Sequence, residues 1–373
     1  MFDMLIIKNK SIYYLATVFL VAIVVVAVTL LFYFDNNDKS FRLLISTAFD
    51  NVNYKMYTLN DSGLITTINL SNFSIGKQYR VGKNSKKMIM NRNTQKLYVS
   101  DSKSNSVFIL DTNNGRKKNV PTGKEPSRMY VNTVNNKVYV LNSKSNSISV
   151  IDGLNDNIIS TIKLDVKPSY IDILKSLNII YITSTRDKEL IIIDGKKDVV
   201  KSYIKLNFSP YFIFVARSGS NLYMSDTKHN EIVVLDVLTG KIKARINVGG
   251  KPKSALLLND EKTLYVVNGL KDKNNFILIN TKDWSIDTVK DISGTPYKLI
   301  GSKRKLYVFN SFNKNISIII PNTNIVNTVK LQDIYYTSIH LTPTLKKIYL
   351  VSIYGEVSEF NTEVDQITKT LKE

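Results

Sequence analysis

The chain has 373 residues, of which 43% are hydrophobic and 22% charged, a composition of folded proteins rather than of disordered chains. It contains no cysteine, which excludes disulfides, thiolate metal sites, cysteine nucleophiles and thioether-linked haem. The formal net charge is +20, so the electrostatic field of the protein favours anionic partners.

The first predicted element is an apolar segment that carries no charge over residues 11–34. As a helix it would span about 36 Å, enough to cross a hydrocarbon core of roughly 30 Å. It is longer than the apolar part of a cleavable secretory signal, and it ends in bulky residues, LLFYF, instead of a small-residue cleavage site. We interpret it as a transmembrane signal anchor, the alternative being a buried core helix.

The charges beside this segment predict its orientation. Lys8 and Lys10 precede it, and the positive-inside rule therefore places residues 1–10 in the cytoplasm as a tail. Residues 35–40 would form a short tether, and residues 41–373 would lie on the extracytoplasmic side. The abundance of Asn, Lys, Ile and Ser suggests an AT-rich bacterial genome, so the predicted location is a bacterial cell membrane, crossed once.

A tyrosine with apolar neighbours recurs through the rest of the chain at intervals of 41 or 42 residues. Its positions are Tyr57, Tyr98, Tyr139, Tyr181, Tyr223, Tyr265, Tyr307 and Tyr349. A fixed period of this length indicates a repeat architecture. We interpret the tyrosines as packing core and not as an aromatic binding stripe.

Each repeat predicts four short strands. In the unit around Tyr139, "SRMYVNT" is followed by a polar turn, then by "KVYVLNSKSNSISVID" and by "IISTIKL". A four-stranded sheet cannot bury both faces alone, whereas a radial stack of such sheets can. Residues 41–373 are therefore predicted to form an all-β propeller of four-stranded antiparallel blades. Eight units fit this length, and seven blades would result if a terminal unit were distorted.

The tetrads YVSD, YVLN, YVVN and YVFN, followed by strands such as SISVID and by Gly-x-x-Pro, resemble the YVTN family of β-propeller repeats. The resemblance covers the whole region after the anchor and implies a propeller related to YncE-like and surface-layer proteins. Similar folds occur in lactonases, quinoprotein dehydrogenases and nitrite reductase haem domains. Propellers of this family usually have seven blades, so eight units depart from the common pattern.

The sequence predicts no catalytic residue, no metal site and no bound cofactor. Only two histidines are present, His229 in a polar loop and His340 within the first strand of the last unit. We interpret His229 as an exposed loop residue and His340 as a hydrogen-bonded blade residue, although a single histidine would suffice for a Ser-His-Asp site. The segment RSGSN at 217–221 superficially resembles a nucleophile elbow, but it falls in a predicted hairpin turn.

Basic residues recur in two kinds of loop that a meander places on one face: the loops between strands two and three, and the connections between blades. We predict a basic ring there that binds polyanions. The alternative is that lysine is a common loop residue in this composition and that nearby carboxylates offset its charge. The ring residues are Lys83, Lys103, Lys124, Lys144, Lys167, Arg186, Lys228, Lys251, Lys271 and Lys314.

Two functions of different classes remain open at the level of sequence. The first is a membrane-anchored, non-enzymatic binding or scaffold module for an envelope protein, a cell-wall polymer such as teichoic acid, or anionic lipid. Nucleic acid is a less favoured ligand because the aromatic residues lie mostly in strands. The second is an exported lactonase-like or other hydrolase that uses the central channel. The propeller is predicted to be monomeric, with its ring toward the membrane because the tether is short.

Overall fold

The computed structural model describes residues 43–372, apart from short gaps at 270–273, 293, 303, 311–313, 322, 324, 332–334, 343 and 345. The transmembrane helix predicted for residues 11–34, the tail and the tether lie outside the described residues and stay predictions. Across the described ranges, no helix is long and apolar enough to cross a membrane.

The described residues form thirty-two strands in eight sheets, each a meander of four consecutive antiparallel strands. Blade 1 contains β1 (Leu44–Asp50), β2 (Lys55–Asn60), β3 (Leu64–Asn69) and β4 (Ser74–Arg80). Blade 2 contains β5 (Ser85–Asn91), β6 (Lys96–Asp101), β7 (Ser106–Asp111) and β8 (Lys117–Pro121). Blade 3 contains β9 (Pro126–Asn132), β10 (Lys137–Asn142), β11 (Ser147–Asp152) and β12 (Asn157–Lys163). Blade 4 contains β13 (Tyr170–Leu174), β14 (Ile179–Ser184), β15 (Glu189–Asp194) and β16 (Val199–Lys205).

The second half of the described chain repeats this order. Blade 5 contains β17 (Pro210–Val215), β18 (Asn221–Asp226), β19 (Glu231–Asp236) and β20 (Ile242–Asn247). Blade 6 contains β21 (Lys251–Leu257), β22 (Thr263–Gly269), β23 (Asn274–Asn280) and β24 (Ile286–Ile292). Blade 7 contains β25 (Pro296–Gly301), β26 (Leu306–Asn310), β27 (Asn315–Ile319) and β28 (Val326–Lys330). Blade 8 contains β29 (Tyr336–Leu341), β30 (Lys347–Ser352), β31 (Val357–Asn361) and β32 (Gln366–Leu371). The prediction of eight blades is confirmed.

The two middle strands of each blade form the core. β10 and β11 are buried along almost their whole length, whereas β12 alternates between exposed and half-buried residues at the outer rim. Both faces of a middle strand pack against neighbouring blades, which explains why the sequence alternates so weakly there. The repeated tyrosines are buried, from 0% exposed at Tyr98 to 6% at Tyr265, so their predicted packing role is confirmed.

The first strands of the blades lie innermost, and first strands of neighbouring blades contact one another in six of the eight neighbouring pairs. In seven blades the pairing of this strand with the second slips near its beginning, as between Ser85 and Lys87 in β5. Such a β-bulge twists the strand and redirects side chains. The bulge therefore decides which inner-strand residues face the axial channel.

Neighbouring blades are joined by a recurring ion pair, which we call the latch. Lys137 Nζ, at the start of β10, lies 2.6 Å from Asp198 Oδ2 in the last turn of the next blade. The Tyr139 hydroxyl donates to the other carboxylate oxygen of Asp198 at 2.9 Å. Two further latches among the described residues are Lys96–Asp156 at 2.8 Å and Lys305–Asp365 at 2.9 Å. The repeated Lys-x-Tyr thus links blades as well as filling the core.

The ring closes where blade 8 meets blade 1. Leu44 N donates to Ile353 O at 2.7 Å, and the rings of Phe49 and Tyr349 lie 6.0 Å apart. Each described sheet is built from consecutive strands, so closure relies on contacts between two complete blades and not on a strand exchanged between the chain ends.

Candidate functional site

The loops between the second and third strands lie on the same face as the connections between blades, as a four-stranded meander requires. We call this face the ring face. The loop after β10 lies against the connection before β9, where Ser143 N donates to Glu125 O at 3.0 Å and Lys144 N to Lys124 O at 3.1 Å. A Cβ at Gly123 would lie 2.5 Å from Ser145 Oγ. The glycine of Gly-x-x-Pro is therefore needed because the connection passes so close to the loop.

Most of the predicted ring residues are exposed on this face. Lys314 is half-buried, with its Nζ 4.4 Å from the centre of the Tyr335 ring, and Lys271 lies outside the described residues. The exposed members are Lys83, Lys103, Lys124, Lys144, Lys167, Arg186, Lys228 and Lys251. Repetition thus distributes exposed cationic groups over this face.

Two aspartates of this face each hold a turn by accepting hydrogen bonds from backbone N–H groups. Asp101 Oδ1 accepts from Lys103 N at 3.0 Å, and Asp226 Oδ1 accepts from Lys228 N at 3.1 Å. Among the eight exposed ring residues, Lys144 is the one in an ion pair with another described residue, 3.5 Å from Glu125. Turn-forming carboxylates therefore leave most ring cations available to a ligand.

Asp187 shows the same use of a carboxylate on the ring face. Its Oδ2 accepts from Ser184 Oγ at 2.7 Å and from Lys167 N at 3.0 Å. These two hydrogen bonds, the Ser184 bond first, hold the pKa of Asp187 below its ordinary value. Its charge is thus retained at neutral pH, close to the Lys167 backbone, and it moderates the positive potential locally.

The two histidines occupy different environments. His229 has an exposed side chain, as expected for its loop, but its Nδ1 also lies 2.5 Å from Asp226 Oδ2. His340 Nε2 lies 2.7 Å from Thr47 Oγ1 and 3.3 Å from Ser338 Oγ. The prediction of a hydrogen-bonded blade histidine at His340 is confirmed, and its main partner belongs to blade 1.

Burial, followed by the nearby cations Lys298, Lys87 and Arg92, lowers the pKa of His340 to about 3. The imidazole is therefore neutral at physiological pH. The hydrogen-bond partners of the His340 ring are hydroxyl groups. The segment RSGSN, which superficially resembles a nucleophile elbow, lies in the turn between β17 and β18, and its Ser218 Oγ donates to Glu261. Neither feature assembles a Ser-His-Asp arrangement.

The structure reveals a basic cluster that the sequence reading missed, which we call the channel cluster. It consists of Lys87, Arg128 and Lys298, one from each of the inner strands β5, β9 and β25. The three cations occupy equivalent positions in their blades. In each case the next residue along the chain pairs with the central valine of the second strand: Met88 with Val99, Met129 with Val140, and Leu299 with Val308. The bulge in each strand lies at these residues.

A cleft of about 860 Å³ opens on the opposite face between blades 6, 7 and 8. The cleft exists because the first hairpin of blade 7 is two residues shorter than that of blade 6. Leu299 pairs with Val308 in blade 7, whereas the equivalent residue of blade 6, Ala255, pairs with Val266. Two of its cations are already paired, Lys305 with Asp365 at 2.9 Å and Lys346 with Glu363 at 3.2 Å. The cleft is consequently less suited to anions than the ring face or the channel.

The acidic side chains and histidines do not form a metal site in the described part of the chain. Within the described ranges, no group of three or more His, Asp or Glu side chains is placed to hold a metal ion. Asp172 on inner strand β13 accepts from Val215 N and Ile173 N, each at 2.9 Å. Burial raises its pKa although these N–H groups oppose the shift. The inner-strand carboxylate thus bridges two blades.

The fold and its repeated blades define an eight-bladed β-propeller of four-stranded antiparallel sheets. A profile of the YNCE-like beta-propeller family matches residues 84–332, and the chain belongs to that family. No curated protein matches the chain by sequence.

Two solved structures share the architecture. The chain is similar to "Dihydro-heme d1 dehydrogenase NirN in complex with DHE", with a TM-score of 0.74 and 12% identity over 87% of this chain and 74% of the other. It is also similar to the hydrazine synthase of Kuenenia stuttgartiensis, with a TM-score of 0.57 and 18% identity over 74% of this chain and 95% of the other. Identities this low show the fold alone.

Proposed function

We propose that this protein is a non-enzymatic binding module that holds an anionic polymer of the cell envelope on its ring face. The observation that supports the proposal most directly is the set of eight exposed cations, of which one is ion-paired within the described part of the chain. A repeating polyanion matches cations that recur once or twice per blade, since each contact displaces counterions from the polymer. Repetition also gives avidity to contacts that are individually weak.

The proposed setting is the extracytoplasmic side of a bacterial membrane, with residues 11–34 as the anchor. Because the tether of residues 35–40 is short, the ring face would then lie toward the membrane. Teichoic acid is the polymer that fits this position and charge best. Anionic lipid and an acidic envelope protein are the other ligands to be compared in the same assay.

The hydrolase alternative would be favoured by carboxylates and a cation-binding site in the channel. The described inner strands instead carry Lys87, Arg128 and Lys298, and Asp172 is engaged by backbone N–H groups. The dehydrogenase and synthase named among the similar structures share the fold at low identity, so no activity is carried over from them. These observations favour the binding module.

Replacing Lys103, Lys124, Lys228 and Lys251 together by glutamine is expected to weaken teichoic acid binding by about tenfold or more at low salt. It should also flatten the dependence of affinity on salt concentration, because fewer counterions are released. Biolayer interferometry on immobilised poly(ribitol phosphate) at several salt concentrations measures both effects.

The matched control removes four exposed lysines from the turns of the opposite face: Lys196, Lys197, Lys241 and Lys262. Both variants lose the same net charge, so a general field effect would weaken them equally. Equal binding by the two variants would contradict a ring-face site. Retained binding to anionic vesicles with none to the polymer would identify lipid as the ligand instead.

A further inference from the structure

The channel cluster lies on the inner wall of the propeller, at one level of the axis. Lys87, Arg128 and Lys298 are equivalent residues of blades 2, 3 and 7, so their side chains approach the axis from different sides of the ring. All three are accessible to solvent in the channel. An accessible cluster inside an enclosing wall is a site that a small solute can enter.

The cations of the cluster repel one another. Although Lys87 is accessible from the channel, the surrounding inner strands desolvate it and lower its pKa, and the charges of Lys298 and Arg128 lower it further. Burial likewise lowers the pKa of Lys298. Cations held close together and partly stripped of water raise the free energy of the folded state, and a bound anion would offset both effects.

Carboxylates do not neutralise this cluster in the described part of the chain. Neither Lys87 nor Lys298 forms an ion pair there, and Arg128 stacks on the Tyr170 ring with its Cζ 4.3 Å from the ring centre. Tyr170 in turn lies 6.0 Å from Tyr211, ring centre to ring centre. Stacking fixes the plane of the guanidinium and leaves its edge N–H groups available to an oxyanion.

Two serines of the inner strands are already engaged in hydrogen bonds. Ser46 Oγ accepts from Met88 N at 3.1 Å, and Ser254 Oγ accepts from Leu299 N at 3.3 Å. These serines satisfy backbone N–H groups of neighbouring inner strands, whereas the ammonium groups of Lys87 and Lys298 form no ion pair with another described residue. The cluster therefore needs a different explanation from the serines beside it.

We propose that the axial channel holds a binding site for a small multivalent oxyanion, a molecule with phosphoryl or carboxylate groups, formed by Lys87, Arg128 and Lys298. Two point-like ammonium groups and one stacked guanidinium suit a ligand with several anionic oxygens. A long polymer would have to thread the channel to reach all three, so the ligand is a small molecule. The site is independent of the ring face.

The test uses inorganic pyrophosphate and citrate as probes, each titrated into the full-length protein and followed by isothermal titration calorimetry. The double substitution Lys87→Gln and Lys298→Gln is expected to weaken binding of the preferred probe by about tenfold or more, because two charge-assisted contacts are lost. A preference for pyrophosphate would indicate a phosphoryl ligand, and a preference for citrate a carboxylate ligand.

Two further variants serve as controls, Lys124→Gln with Lys251→Gln on the ring face and Lys196→Gln with Lys197→Gln on the opposite face. Both should bind the probe as the unaltered protein does. The channel variant should also melt at a higher temperature without ligand, since like charges have been removed, which shows that it is folded. Absence of binding to either probe, or equal loss in all three variants, would overturn the proposal while leaving the ring-face function open.

Discussion

Replacement of Asp198 by alanine is expected to destabilise the propeller by about 3 kcal/mol, because it leaves a buried ammonium group without its counter-charge. In the latch, the side chains of Lys137 and Asp198 are 15% and 9% exposed. The same substitution also removes the acceptor of the Tyr139 hydroxyl. Urea midpoints measured by tyrosine fluorescence would report the loss.

The three latches provide a graded series. The aspartate is 9% exposed at Asp198, 18% at Asp156 and 26% at Asp365, so the destabilisation by alanine should decrease in that order as water screens the pair. Glu363 is the control because its pair with Lys346 is exposed, and its removal should change stability by less than about 0.5 kcal/mol. A loss at Asp198 no larger than that at Glu363 would contradict a structural role for the latch.

A second substitution separates the ion pair from packing. Adding Lys137→Met to Asp198→Ala should recover part of the lost stability, since the unpaired charge is then absent and the aliphatic stem is kept. If the double variant were less stable than Asp198→Ala alone, the unpaired ammonium would not be the cause of the destabilisation.

The repeat made the fold predictable because one period specifies one blade. The spacing of the tyrosines determined the number of blades, and the short polar segments between strands determined the meander. The latch was also accessible in principle: its lysine and aspartate are 60 or 61 residues apart in every case. That separation equals one repeat period plus the number of residues from the start of the second strand to the last turn of a blade. The relation becomes apparent only when the contacts between adjacent blades are considered.

The ring residues were predictable as a group because loops of a meander alternate between two faces. Their individual partners were not, since Glu125 pairs with Lys144 while Asp101 and Asp226 bind backbone N–H groups. The same residue types thus play two roles, and the local turn decides which. The binding function of the ring stays a prediction.

The channel cluster could not be found from spacing alone. Lys87 and Arg128 are 41 residues apart and fit the period, but Lys298 is displaced by two residues because the first hairpin of blade 7 is short. Only the strand register shows that it is equivalent to the other two. An irregular unit therefore makes an equivalent residue of a repeat protein hard to recognise from spacing. In blade 7 the short hairpin shifts the sequence position of a channel residue and also forms the cleft.

His340 gives the second large effect, a loss of stability in mild acid that depends on one imidazole. Its pKa is about 3 in the folded protein, against an ordinary value of 6.5. Between these values the unfolded chain binds a proton that the folded chain does not, so stability is fully present above pH 6.5 and falls as the pH is lowered. Between pH 6.5 and 4.5 the contribution lost is on the order of 2 kcal/mol.

The position of His340 at the seam between blades 8 and 1 makes this loss structurally specific. Its Nε2 contacts Thr47 Oγ1 across the seam, and its ring lies 5.8 Å from that of Phe49. The charged groups around it, Lys298, Lys87 and Arg92, are all cationic and oppose protonation. An imidazolium at this point would therefore weaken the contact that closes the ring.

Urea midpoints of the unaltered protein and of His340→Gln at several pH values between 7 and 4.5 test this effect. The difference in stability between the two proteins should shrink as the pH falls, because glutamine does not titrate while all carboxylates are common to both. His229→Gln is the control, since that histidine is exposed on a loop away from the seam. Parallel pH profiles for the His340 variant and the unaltered protein would contradict a neutral, strongly shifted imidazole.

The seam and the channel cluster are coupled through the same charges. Because Lys298 is the largest cationic influence on His340, Lys298→Gln should raise the pKa of the imidazole and move the acid-induced loss of stability to a narrower pH range. An anion bound by the channel cluster should act in the same direction by screening Lys298 and Lys87. Binding of an anion in the channel could then be measured as a change in the acid stability of the seam, although Lys87 and His340 lie far apart in the sequence.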